Sequence, residues 1–277
     1  MNLPGAAFRT GTVRSGEFTL DYAEAGPADA ATVIVSLPGS AGLEKSTAKD
    51  RLAQRYRVVE INPPGWGSAP EVGRPMPQAE IGRILAEAAT QLVDGPFFVI
   101  GTSMGGANAL HLTAQLRDRV SGIVLEGSMA PASPADLRNP PPPPGDSPAG
   151  ADESGDVAYP EPVIHPNKPW ATKEYVARQM ADRMRMFRWT EPDMLADTAI
   201  AAIDWNSTPI LALLGDGDEI LLPSVEDTIR AAIPSAEFRL IPGGMHDLQN
   251  TVPDEFVRLV EGFVSTTAGT PKNAGGQ

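Results

Sequence analysis

The stretch from Phe97 to Leu112 constrains this chain more than any other. Phe97-Phe98-Val99-Ile100 is an apolar run suited to a strand buried on both faces. Gly101-Thr102-Ser103-Met104-Gly105 then makes a turn, and Ala107-Asn108-Ala109-Leu110-His111-Leu112 reads as the start of a helix. Strand, sharp turn and helix are the setting in which a Gly-x-Ser-x-Gly pattern carries chemistry. Gly101 and Gly105 lack a Cβ, so the backbone can pass close to itself and hold Ser103 in a strained conformation. Ser103 Oγ is then exposed at the carboxyl edge of a sheet. The Met104 amide sits at a helix N-terminus, where unpaired N–H groups favour a developing negative charge.

A turn of this kind needs a sheet around it, and the chain supplies one. Residues 7–13 and 17–24 read as a hairpin joined at Ser15-Gly16. Strands are then predicted at 32–37, 57–61, 97–102, 120–125, 209–214 and 237–241. Between them lie helical patterns at 46–55, 77–92, 104–116, 224–232 and from Thr251 onward. Alternating strands and helices predict an α/β fold with a mainly parallel sheet covered on both faces. Glycine-bearing loops follow the strands at 37, 61, 102, 214 and 241, and in such sheets the ligand site lies beyond the carboxyl ends. Residues 131–169 break the pattern with a run of prolines from Pro140 to Pro144, and are expected to be extended rather than helical. Helices are predicted over 172–189 and over 190–203, the latter opened by a Thr190/Asp193 capping box. A polar tail over 266–277 is expected to be disordered.

Composition narrows the class of partner. The formal net charge of −13 repels nucleic acid and anionic lipid, and no basic stripe reverses it. The absence of cysteine excludes disulfides, a thiol nucleophile and thiolate metal sites. The N-terminal residues lack a basic segment followed by an apolar run, so no signal peptide is expected, and no window approaches the ~18–20 apolar residues of a membrane span. A cytoplasmic protein acting on a small molecule is expected, with no nucleic acid, membrane, metal or cofactor involved; the sequence carries no signal for oligomeric state.

A serine nucleophile needs a base, and the base needs an orienting group. The chain has three histidines, His111, His165 and His246. His246 follows the last strand and a Pro-Gly-Gly turn, which lets its loop swing it over Ser103. His111 lies inside the helix after Ser103 and faces away; His165 falls in the Pro-rich segment. For the orienting acid, Asp218 is the first candidate, three residues beyond Gly215. Glu126, ending the preceding strand, and then Asp216 are the alternatives. The oxyanion donors expected are the backbone amides of Met104 and of Ser40, in the Pro38-Gly39-Ser40-Ala41-Gly42 loop.

These motifs resemble those of the α/β-hydrolase superfamily. Gly101-Thr102-Ser103-Met104-Gly105-Gly106 is similar to its nucleophile elbow. Asn62-Pro63-Pro64-Gly65-Trp66-Gly67-Ser68 is similar to its D-x-P-G-x-G-x-S loop, with Asn for Asp. The segment Gly215 to Pro223 resembles its G-x-x-D-x-x-x-x-P acid segment, which favours Asp218, and Gly243-Gly244-Met245-His246 resembles G-x-G-H. The resemblance covers about 1–130 and 206–265, and it implies a core of those two segments with a cap, 131–205, inserted between them. It also implies a substrate pocket walled by Gly39 and Trp66 and roofed by Met180, Met184, Phe187 and Trp189. Pro38 stands where the family's oxyanion loop has His. Lactone-cleaving relatives of the zearalenone hydrolase type draw their acid from the strand that ends at Glu126 here.

The activity so implied is serine-type hydrolysis of a carboxylic ester or lactone with an apolar acyl or aryl part, through an acyl-enzyme. C–C bond hydrolysis of the meta-cleavage-product type is the alternative, although those enzymes carry Trp where this chain has Asp247. A non-hydrolytic tailoring enzyme, or a ligand-binding protein on the same fold, completes the set.

Overall fold

The computed structural model describes residues 3–139, 164 and 168–268, except for the side chains of Met186 and Phe187. His165 and the proline run from Pro140 to Pro144 lie outside the described residues, as do much of the segment expected to be extended and residues 269–277 of the predicted tail; residues 266–268, expected to be disordered, are helical. An eight-stranded sheet forms the frame, in the order β1-β2-β4-β3-β6-β7-β9-β10. Its strands are β1 (Arg9–Ser15), β2 (Phe18–Ala25), β3 (Val33–Leu37), β4 (Arg57–Ile61), β6 (Phe97–Thr102), β7 (Val120–Glu126), β9 (Ile210–Gly215) and β10 (Glu237–Ile241). The hairpin β1-β2 is antiparallel and joins β4 antiparallel; every other pairing is parallel. This is the fold class that the alternation of elements predicts.

Side chains on a strand alternate between faces, and the two faces here are both apolar. Val33, Val35 and Leu37 of β3, Val99 of β6, Ile123 and Leu125 of β7, and Ile210, Ala212 and Leu214 of β9 share one core. Ile34, Phe98, Ile100, Val124, Leu211 and Leu213 share the other. Helices α2 (Gln78–Leu92), α3 (Gly105–Gln115), α5 (Asp197–Ala202) and α6 (Val225–Ala232) cover the first face through Ile81, Ile84, Leu85, Leu110, Ile200 and Ile229. Helices α1 (Thr47–Leu52), α7 (Leu248–Thr251) and α8 (Pro253–Ala268) cover the second through Leu52, Leu248, Phe256, Val260 and Phe263. The continuous apolar runs in the sequence are therefore strands wetted on neither side.

Helix α4 (Lys173–Trp189) lies near its predicted limits. The second predicted helix does not start at Thr190. Thr190–Glu191 forms a short strand, β8, parallel to β5 (Met76–Pro77), and α5 begins only at Asp197. Asp193 does not close a capping box on Thr190; its carboxylate accepts from the Ala196 amide at 2.8 Å and meets His111 Nε2 at 2.9 Å. The helix predicted over 224–232 starts where expected, with Ser224 at the N-cap of α6, although the Ser224 hydroxyl donates to Asp136 rather than accepting from the helix. The helix predicted from Thr251 starts later. Thr251 ends α7, with its hydroxyl on the Asp247 carbonyl at 2.8 Å, and α8 starts at Pro253.

Candidate active site

Ser103 follows β6 directly and has φ 52°, one of two described non-glycine residues with positive φ. An L-residue there costs on the order of 1–3 kcal/mol and is retained where the surroundings over-determine it. The surroundings do so here. A Cβ on Gly105 would stand 2.1 Å from the Leu37 carbonyl oxygen, and one on Gly101 would stand 2.6 Å from the Gly105 carbonyl oxygen. Gly105 is thus pressed against the end of β3, and Gly101 against the start of α3, so closely that only glycine fits at either position. The Ser103 amide donates to the Glu126 carbonyl at 2.8 Å, and its carbonyl accepts from Gly106 and Met129, both at 3.0 Å. The backbone is fixed while Oγ remains half-exposed.

His246 reaches this hydroxyl from the loop after β10. Nε2 lies 3.0 Å from Ser103 Oγ, and Nδ1 lies 2.9 Å from Asp218 Oδ2. The other Asp218 oxygen accepts the Ile220 and Leu221 amides, both at 2.8 Å, so the carboxylate cannot rotate away. Burial works against a charged Asp218, yet the His246 hydrogen bond and charge and the two amides hold its carboxyl below the ordinary range. Burial likewise pulls His246 down, but the bond to Asp218 and its charge outweigh this and hold the imidazole above 6.5. An arrangement with these distances lets an imidazole take a serine proton while a fixed carboxylate selects the tautomer. Of the candidate acids, Asp218 is the one bonded to the imidazole. Asp216 instead accepts the Gly243 amide at 2.9 Å, and Glu126 faces Thr102 and Gln249.

The loop after β3 forms the opposite wall. A Cβ on Gly39 would come within 3.1 Å of Ser103 Cβ and 3.8 Å of its Oγ, so the missing side chain leaves room beside the hydroxyl. Among the described residues, neither the Ser40 nor the Met104 amide donates to an internal acceptor. Holding an oxyanion requires two N–H groups left free in this way and aimed at it. The Ser40 carbonyl is anchored from behind by Trp66 Nε1 at 3.0 Å. Trp66 is fully buried and meets Trp189 edge-to-face with ring centroids 5.9 Å apart. Trp66 thus braces the Ser40 loop, and Trp189, also buried, packs against it. Met180 and Met184 are half-buried on α4, and the Phe187 side chain lies outside the described residues.

Several neighbours carry no motif. Glu219 accepts the His246 amide at 3.2 Å, and Thr251 Oγ1 accepts the Met245 amide at 3.2 Å, so both pin the histidine loop. Gln249 joins Glu126 to Thr102. The Glu219 and Gln249 bonds are made between segments distant in sequence, which no local spacing announces. A cavity of about 600 Å³ is lined by Ala41, Glu44, Asn62, Arg178 and Asp182 but by neither Ser103 nor His246. Size alone does not make it the reactive site; the proton-transfer geometry lies at Ser103. Among the described residues, no group of His, Asp or Glu side chains is gathered to hold a metal ion, and no helix is long and apolar enough to cross a membrane.

Comparison with known proteins follows the same lines. A family model described as the alpha/beta hydrolase family matches residues 4–259. A 2-hydroxy-6-oxononadienedioate/2-hydroxy-6-oxononatrienedioate hydrolase of Escherichia coli K12 is 29% identical over 113 residues, which is 39% of each chain. The chain thus matches well under half the length of that relative. The carboxylesterase CesB of Bacillus subtilis superposes with a TM-score of 0.68 at 14% identity, covering 94% of this chain and 92% of that one. A serine hydrolase of the polyaromatic hydrocarbon-degrading bacterium Cycloclasticus zankles superposes at 0.65 and 17% identity, covering 95% and 100%. At such identities the superpositions speak for the fold alone.

Proposed function

Since the chain belongs to the alpha/beta hydrolase family, we propose that it cleaves a carboxylic ester or lactone through an acyl-enzyme on Ser103. His246 takes the Ser103 proton as Oγ attacks the carbonyl carbon, and returns it to the departing alcohol. The Met104 and Ser40 amides receive the oxyanion, and Asp218 holds the imidazole and stabilises its charged form. Water, deprotonated by His246, then releases the acid. No step needs a metal or cofactor. The observation that carries this reading is the continuous hydrogen-bond chain from Ser103 Oγ through His246 to Asp218, on a serine held at positive φ.

An uncharged substrate agrees with a net charge of −13. The half-buried Met180 and Met184 on α4, whose side chains adapt to irregular shapes, support an apolar acyl or aryl part and a cap role for the segment that carries them. One observation favours a second reading, C–C bond hydrolysis: the Escherichia coli relative is named as a hydrolase of 2-hydroxy-6-oxononadienedioate, a compound with no ester or lactone to cleave. Asp247, which follows His246 where the meta-cleavage-product enzymes carry Trp, weighs against it.

A panel separates the two. Aryl esters of graded acyl length and an aryl-fused lactone are compared with a 2-hydroxy-6-oxo-dienoate, using wild type and Ser103→Ala. Turnover of an ester or lactone that disappears in Ser103→Ala is expected. Turnover of the dienoate alone would transfer the assignment to C–C hydrolysis. Ester turnover that survives in Ser103→Ala would overturn the nucleophile.

A further inference from the structure

Glu126 is a fully buried carboxylate that the Ser103–His246–Asp218 chain does not use. The parallel register of β6 and β7 pairs Thr102 with Glu126, which sets the carboxylate beside the residue preceding Ser103. Thr102 Oγ1 donates to Oε2 at 2.7 Å. The Gln249 amide donates to Oε1 at 2.9 Å and its side-chain Nε2 to Oε2 at 2.5 Å. Gln249 Nε2 also reaches Thr102 Oγ1 at 3.1 Å, which closes the network. The Glu126 carbonyl meanwhile accepts the Ser103 amide at 2.8 Å. One residue is therefore bonded to the nucleophile's backbone, to its preceding side chain, and to the turn just beyond His246.

Burying a carboxylate is costly, and a glutamine or an apolar residue would fill the same place more cheaply. Burial, and then the charge of Asp247, push Glu126 up to about 7. The charged groups that face it are Asp247 and His246, with Asp247 held in turn by Lys168 Nζ at 2.7 Å. Retaining an expensive group at the junction of two loops is explained if the loops must be held in register.

We propose that Glu126 is a positioning residue, whose carboxylate ties the turn after His246 to the end of the nucleophile strand and so keeps Nε2 in reach of Ser103 Oγ. This rests on the reading of Ser103 as nucleophile and His246 as base. It differs from the role of orienting acid, because Asp218 already occupies Nδ1.

The test is a double-mutant cycle. Glu126→Gln, Gln249→Leu and the double variant are compared with wild type for kcat and KM on a neutral aryl ester, and for the rate of labelling by a fluorophosphonate. Misplacing a base by a fraction of an ångström costs roughly 10- to 100-fold. Each single variant is expected to lower kcat by about tenfold or more with KM within about twofold, and to slow labelling by the same factor. The double variant is expected to be no slower than the slower single, since both cut one tie. Wild-type kcat in either single variant, a loss confined to KM, or losses that multiply in the double variant would each overturn the proposal. If Gln249→Leu fails to fold, Thr102→Val removes a donor from the same network at constant shape and takes its place with the same criteria. Wild-type protein that resists labelling, or Ser103→Ala that accepts it, would strike the underlying reading instead; normal labelling at Ser103 together with an unaffected Glu126→Gln strikes this proposal alone.

Discussion

Two buried carboxylates, Asp218 and Glu126, lie close to one imidazole, and their surroundings push them in opposite directions. Asp218 Oδ1 is held by two amides and Oδ2 by His246. In Asp218→Asn the two amides would claim the side-chain oxygen, turning its NH₂ toward Nδ1. Nδ1 would then have to accept, placing the proton on Nε2, where it faces Ser103 instead of receiving its proton. A loss of kcat on the order of 10⁴ is expected. The residual activity has its own signature. His246 acts as a base only when neutral, so activity is lost as pH falls through its pKa, which Asp218 holds above 6.5. Removing that charge moves the acid limb of kcat/KM to lower pH, and a limb left in place in the variant would contradict the assignment. Glu126 gives a stability signature instead. Its folded pKa of about 7 exceeds the unfolded 4.5, so it contributes less to stability as pH rises from 4.5 to 7. The melting temperature of Glu126→Gln relative to wild type is therefore expected to climb over that interval, as read by scanning calorimetry; a flat difference would show that the carboxylate carries no such penalty.

At the level of elements, the site is a set of loop ends pressed together at the carboxyl edge of the sheet. The β6-to-α3 turn was legible because its chemistry is local: only glycine fits at 101 and 105, and both positions lie within the motif itself. The Ser40 loop was expected to donate to an oxyanion, but the side chain that braces it was not legible. Trp66 is remote in sequence and looks like a pocket wall until its indole is seen on the Ser40 carbonyl. Trp66→Phe keeps most of the packing and deletes that bond. We expect a kcat loss of about tenfold with KM little changed, since the oxyanion donor loosens without closing the site. Destabilisation should stay within about 0.5–1.5 kcal/mol, the usual worth of one hydrogen bond. Steady-state kinetics and urea unfolding measure the two; an unchanged kcat would show that the loop holds its shape unaided. The helix starts misread at Thr190 and Thr251 gave way to other partners: Thr190 joins a strand paired with β5, and the Thr251 hydroxyl bonds back to the His246 loop, and such partners override a local capping pattern.

Over the whole molecule, the sheet was readable because its strands are buried on both faces, so each reads as an unbroken apolar run between glycine loops. Strand order follows less directly, since pairing across the sheet depends on packing that no single stretch contains. The Ser103, His246 and Asp218 positions could be inferred from chain order and shared sheet edge, while Gln249 and Glu219 could not, because their roles exist only once the loops meet. The account as a whole depends on Ser103 being a nucleophile activated by His246. The most direct measurement is labelling of the folded protein with a fluorophosphonate, followed by mass spectrometry of the modified peptide. The account predicts one adduct, on Ser103, absent from Ser103→Ala and slowed by at least about 10³-fold in His246→Ala. A folded wild type that stays unlabelled, or an adduct on another serine, would contradict it.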